Sequence, residues 1–195
     1  MNPILNQNLF LVKEHVGMFK AANNYDIYNP ETNEIVMNCR ENNLGFFTKM
    51  LRFTDYKTMT PFNIEITTVS GEKIISVKRG IAWLRSTVEV FDEKDRLLGT
   101  FKQKIFSIGG KFEILDKNER SAATLQGKWT GWDFKFSHED KQLAQVTKKW
   151  AGMGRELFTS ADNYVLQIEE TVAPDSPLRQ LILAAVMCID MVLKE

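Results

Sequence analysis

Two histidines, His15 and His138, and two cysteines, Cys39 and Cys188, are the residues whose types most often carry nucleophilic or metal chemistry. His138 lies in a charged stretch, His138-Glu139-Asp140-Lys141, that reads as a solvated turn. His15 follows a strand-like run, with no serine or cysteine beside it in a recognisable nucleophile setting. Catalytic triads assemble in space, so spacing alone does not exclude one. The sequence has no nucleophile elbow, paired-histidine zinc motif or phosphate-cradling glycine loop. Gly152-Met153-Gly154 lacks the third glycine of a dinucleotide fingerprint and the helix pattern that should follow it. The separation of the cysteines matches no metal or redox spacing. Cys188 sits in an apolar run and reads as a small core residue, which fits a reducing, cytoplasmic setting. These residues predict a non-enzymatic protein with no catalytic residue and no cofactor.

The charged clusters offer binding chemistry instead. Asp92-Glu93-Lys94-Asp95 and the cluster at His138 mix signs and lack the alternating oxygen ligands and glycine of a helix–loop–helix calcium site. Lys148-Lys149-Trp150, with Arg155 nearby, pairs cations with an aromatic ring, a combination suited to a lipid headgroup region or to nucleic acid. The plainer reading is a solvent-facing strand end with Trp150 turned into the core, since the cluster falls short of a polybasic patch. Leu44 to Phe53 carries Phe46, Phe47, Lys49 and Arg52 at partly helical spacing. It suits a short amphipathic helix touching a membrane surface, or, more plainly, a segment packed on the end of the domain. Lys plus Arg is 25 and Asp plus Glu is 25, so the net charge is zero. Strong long-range attraction to nucleic acid or to anionic lipid is therefore not expected from the chain as a whole, and any such binding needs a local basic patch.

The elements that must hold these residues are short strands. Runs rich in β-branched and aromatic residues alternate with polar turns: Tyr25 to Tyr28 then Glu34 to Cys39, Phe62 to Thr68 then Lys73 to Lys78, Thr87 to Phe91 then Leu97 to Gln103. Lys111 to Leu115 then Ser121 to Gln126, and Asp133 to Phe136 then Leu143 to Lys149, continue the series. In Phe62-Asn63-Ile64-Glu65-Ile66-Thr67 the apolar residues occupy every second position, the mark of a sheet with one buried face. Serial hairpins predict a sandwich or barrel. No linker or composition break divides residues 1–195, which predicts one domain. No signal peptide or lipidation motif is apparent at the N-terminus.

The most apolar segment is Leu181 to Leu193. As a helix it reaches about 20 Å, against a hydrocarbon thickness of about 30 Å. It contains Asp190, which costs about 3 kcal/mol at a bilayer centre. Ser176 suits an N-cap and Pro177 the first helical position. Leu181, Ile182, Val186 and Ile189 leave no polar stripe, so the helix belongs inside a core or a membrane. Length and charge favour the core, and no transmembrane span is predicted. A barrel threaded by this helix buries the inner faces of the strands, wraps the helix on all sides and removes exposed sheet edges.

The final third resembles the phospholipid scramblase family. Trp150-Ala151-Gly152, then Arg155-Glu156-Leu157-Phe158-Thr159-Ser160-Ala161-Asp162-Asn163-Tyr164, with Gln167 following, is similar to that family's Trp-x-Gly, Glu-x-Phe-Thr and Ala-Asp-Asn-aromatic stretch. Ala184 to Met191 is similar to its terminal apolar helix with an Ile-Asp pair, and Pro61-Phe62 and Leu98-Gly99 match weaker upstream signatures. The resemblance extends to the tubby C-terminal and LURP-one-related barrels. It implies a mainly β fold, a closed antiparallel barrel of about twelve strands around a buried C-terminal helix. It also implies calcium binding by a loop that holds Asp162 here but has Ser160 and Thr171 where the family carries Asp, which weakens the site. The family's Pro-rich extension and cysteine cluster are absent, so palmitoyl anchoring is not expected. The implied partner is phospholipid at a membrane surface. The tubby-like resemblance alternatively implies a soluble binding module for a protein, a phosphoinositide or nucleic acid.

Overall fold

Alternating inward apolar side chains require a closed surface to bury them, and the chain supplies that surface as a single barrel. A computed structural model describes residues 1–15, 24–42, 45, 48, 50, 59–82, 85–104, 110–128, 132–148 and 163–193. Its strands are β1 (Leu9–Glu14), β2 (Tyr25–Tyr28), β3 (Ile35–Glu41), β4 (Phe62–Thr68), β5 (Lys73–Arg79) and β6 (Thr87–Phe91). They continue as β7 (Leu97–Gln103), β8 (Lys111–Asp116), β9 (Ser121–Lys128), β10 (Asp133–His138), β11 (Lys141–Thr147) and β12 (Asn163–Ile168). Each strand pairs antiparallel with its sequence neighbours, and β1 closes onto β12 from Leu9↔Gln167 to Lys13↔Asn163. Closure leaves no edge strand in the sheet.

The up-and-down order sorts the connections onto two ends. At one end, the turn end, lie the short hairpins β2–β3, β4–β5, β6–β7, β8–β9 and β10–β11. One device recurs in all five. Each has a register shift beside the turn. Each also places one residue in the left-handed region: Asn33, Gly71, Asp95, Glu119 and Glu139. A bulge with a left-handed residue matches the turn to the sheet's twist. Because Glu139 takes φ 52°, the chain reverses over Glu139-Asp140 alone, and β11 begins at Lys141, two residues before the apolar alternation signals it. The connections β1–β2, β3–β4, β5–β6, β7–β8, β9–β10 and β11–β12 all fall at the opposite, loop end.

The helix α1 (Leu178–Cys188) enters at the turn end and runs on as a π-helical turn, Ile189–Leu193. Pro177 stands at its N-cap in helical conformation, and the Ser176 hydroxyl accepts the Leu178 N–H at 3.3 Å. Leu181, Ile182, Val186 and Ile189 are buried and belong to one cluster with Ile64, Val77, Phe101, Phe112 and Leu166 from the wall. Gly99 shows how tightly the wall fits. A Cβ there would lie 2.4 Å from the Leu115 carbonyl oxygen and 3.1 Å from Leu181 Cδ2. The Leu98-Gly99 signature therefore has a packing cause.

Polar groups lock the plug at the turn end. Arg179 is buried, and its guanidinium donates to the carbonyls of Leu5, Gln7, Val172 and Ala173 and to Asn8 Oδ1, at 2.7–3.2 Å. Burial lowers its pKa. The Gln180 amide reaches the Ile74 carbonyl at 3.1 Å and Glu93 at 3.3 Å. Arg179 thus ties the N-terminal 3-10 turn, Pro3–Asn6, to the base of the helix.

Candidate functional site

An ionisable group in an apolar helix must find hydrogen-bond donors, and the strands provide them at the loop end of the lumen. Tyr25 opens β2 and Tyr164 stands second in β12, both pointing inward. Their hydroxyls donate to the two carboxylate oxygens of Asp190, one to each. Asp190 and both tyrosines are buried. Burial first, and the Asp190 charge second, push the Tyr25 phenol well above its ordinary value, so it stays a protonated donor. The Trp132 ring lies 5.0 Å from that of Tyr164. Lys148 Nζ sits over the Trp132 ring at 3.9 Å and 5.3 Å from the Tyr164 centroid, within cation–π range.

A buried cation stands on another part of the wall. Arg79, last in β5, faces inward opposite Phe62. It donates to the Thr60 carbonyl at 2.5 Å and to the Ser86 hydroxyl at 3.2 Å, and lies 4.8 Å from the Phe62 centroid. It therefore ties the β3–β4 connection to the β5–β6 connection. The Ala82 N–H to Met59 carbonyl bond, 3.2 Å, adds a second tie. Beside them is a cavity of about 370 Å³ lined by Asn42, Thr48, Pro61, Asn63 and Gly80, among others.

On the outer wall His15 and Arg40 converge on Asp26. His15 Nε2 is 2.5 Å from Oδ2, and Arg40 donates to Oδ1 at 2.6 Å. Burial raises the Asp26 pKa, but the hydrogen bonds and charges of Arg40 and His15 outweigh it and hold the carboxyl below its usual range. The two cysteines are buried, and burial pushes both thiols upward.

Of the contact residues proposed from sequence, Lys148 is brought into the Trp132–Tyr164 cluster. Phe46, Phe47, Lys49, Arg52, Lys149 and Trp150 lie outside the described residues, as do Ser160 and Asp162. Their two connections, β3–β4 and β11–β12, leave the barrel at the same end. Thr171 is exposed at the other end. Between Asp162 and Thr171 runs the whole of β12, a six-residue strand about 17 Å long. A calcium ion binds oxygens at about 2.3–2.6 Å, and the oxygens that Ser160 and Asp162 would offer it lie outside the described residues. Sequence reasoning missed Tyr25, Tyr164, Trp132, Arg79 and Arg179 as partners. The one available signal was Asp190 itself, whose place in an apolar run demands donors from distant strands.

A closed antiparallel barrel of twelve strands on a buried C-terminal helix is the tubby C-terminal-like architecture. A structure of a protein from Arabidopsis thaliana shares it, with a TM-score of 0.53 and 14% identity, over 97% of this chain and 95% of that one. The family model for Scramblase matches residues 4–195, and the chain belongs to that family. It is 24% identical over 193 residues to a phospholipid scramblase family protein of Schizosaccharomyces pombe, covering 91% of this chain and 50% of that one. It is 21% identical to altered inheritance rate of mitochondria protein 25 of Saccharomyces cerevisiae, over 85% of this chain and 60% of that one. Identity to human phospholipid scramblase 2 is 22%, over 96% of this chain and 65% of that one. The chain thus spans half to two thirds of the length of these relatives.

Proposed function

We propose that this protein binds phospholipid at a membrane surface, as a non-enzymatic member of its family, and that the barrel alone provides no route for lipid across a bilayer. Membership of the family supports the binding, and one observation carries the lack of a route. The lumen is filled by the helix, and Asp190 is tied to β2 and β12 on the wall around it. A headgroup crossing hydrocarbon needs a polar path, and a plugged barrel leaves none through its centre. Among the described residues no helix is long and apolar enough to cross a membrane. Lipid is then met from outside the barrel.

Flotation with phosphatidylcholine vesicles containing or lacking phosphatidylserine tests the binding, and loss of fluorescent lipid to an impermeant quencher tests the crossing. Binding without faster crossing is expected. Crossing accelerated by the chain alone would overturn the second half of the reading. Failure to bind vesicles of either composition would overturn the first and favour a protein partner.

A further inference from the structure

We infer that the loop end of the barrel is the face that meets the membrane, with Ile81 and Met59 as apolar tips and Arg85 as the cation beside them, and that the lipid it fits is anionic. The inference rests on the membrane-surface reading and adds its orientation. Ile81 is 67% exposed, the highest value among the large apolar residues described, and Met50 and Met59 are 55% and 37% exposed. Ile81 and Met59 belong to different connections, but the Ala82–Met59 bond and the Arg79 bond to Thr60 hold those connections together. The tips are thus presented by a braced rim. Arg85 is exposed four residues after Ile81, in the same connection.

Charge separates the two ends. Among the described residues between strands at the loop end, the charged side chains are Arg85, Lys104 and Lys148, all cationic, with Lys104 paired to Glu113 of β8. The turn end carries Glu31, Glu72, Glu93, Glu139, Asp140 and Glu170 among its turns, where carboxylates outnumber cations. The described connections of a chain with zero net charge are therefore polarised along the barrel axis. Phosphatidylserine surfaces attract cations within about a Debye length and repel carboxylates, which turns the loop end toward the bilayer. Apolar tips then add burial at the acyl boundary.

The test labels Ile81→Cys and, separately, Val69→Cys at the turn end with an environment-sensitive fluorophore in the full chain. Both native cysteines are buried, so the label goes to the introduced one. With phosphatidylserine-containing vesicles, emission at position 81 should rise several-fold and shift blue, while emission at 69, where the native side chain is 60% exposed, should stay unchanged. Ile81→Asn and Arg85→Glu should each lower vesicle affinity about tenfold. A response at 69 but not at 81, with binding intact, would overturn the orientation and leave the surface reading standing. So would full binding by both loop-end variants. No binding by the unmodified chain would overturn both.

Discussion

The Tyr25 hydroxyl reaches Oδ2 of Asp190 across 165 positions of sequence, joining the second strand to the last turn of the helix. Tyr164 binds the other oxygen. Removing the carboxylate leaves two buried phenols without this acceptor, at about 1–3 kcal/mol each. Asp190→Ala should lower unfolding free energy by about 2–5 kcal/mol in urea titrations. Asp190→Asn, which keeps one acceptor, should cost less. Equal effects of the two would contradict the bonding pattern.

Arg179 makes the corresponding tie at the turn end. Arg179→Met should destabilise the protein by at least about 3 kcal/mol, because several carbonyls lose a charged donor. It should also expose the segment around Leu5 and Gln7 to proteolysis before the barrel unfolds. Arg179→Lys should rescue little, since an ammonium cannot reproduce a planar fork that reaches Leu5, Asn8 and Val172 together.

Acid should weaken the fold through Asp26 and Asp92. Burial raises the Asp92 pKa too, and the Arg96 and Lys94 hydrogen bonds more than reverse it. Both carboxyls titrate below their unfolded value of about 3.9. Between the two pKa values the unfolded state binds more protons, so stability rises with pH there and is fully present above about pH 4. It is lost as pH falls through the folded pKa. Asp26→Asn and Asp92→Asn should flatten this dependence in denaturation midpoints measured from about pH 2 to pH 5.

Gly99→Ala should destabilise by about 1–3 kcal/mol, read as a lower Tm. The added methyl meets a backbone oxygen, Leu115 O, that cannot swing away. A neutral substitution would mean that β7 and β8 are free to part at this point.

Calcium should not act through the stretch that the family resemblance singles out. Asp162→Ala should leave calcium affinity, read by isothermal titration, unchanged, because Ser160 and Thr171 stand where the family resemblance implies carboxylates. A loss of affinity in this variant would show that other oxygens complete the site.

The barrel was legible because its strands alternate cleanly and their turns are polar. Phe62–Thr68, Thr87–Phe91 and Leu97–Gln103 are bounded as the alternation predicts. The start of β11 was not, since a Glu at φ 52° leaves no mark in composition. The helix was legible from its apolar circumference, and Asp190 flagged a buried polar requirement. Its partners were hidden because a tyrosine in a strand looks the same whether its hydroxyl meets water or a carboxylate. Arg179 carries no mark of burial in the sequence, because it precedes the apolar run. The charge asymmetry was invisible in a sum of zero and emerges only when topology assigns each connection to an end.

Pairing of β1 with β12 has a further consequence for biosynthesis. The seam cannot zip until residue 168 has left the ribosome, and the plug arrives after it. Until then the inward faces of eleven strands have nothing to cover them. Such long-range closure folds slowly and leaves a sticky intermediate. A nascent chain of this design should depend on chaperone holding, and a stop codon shortly before Leu178 should send it to degradation, although every strand has been made.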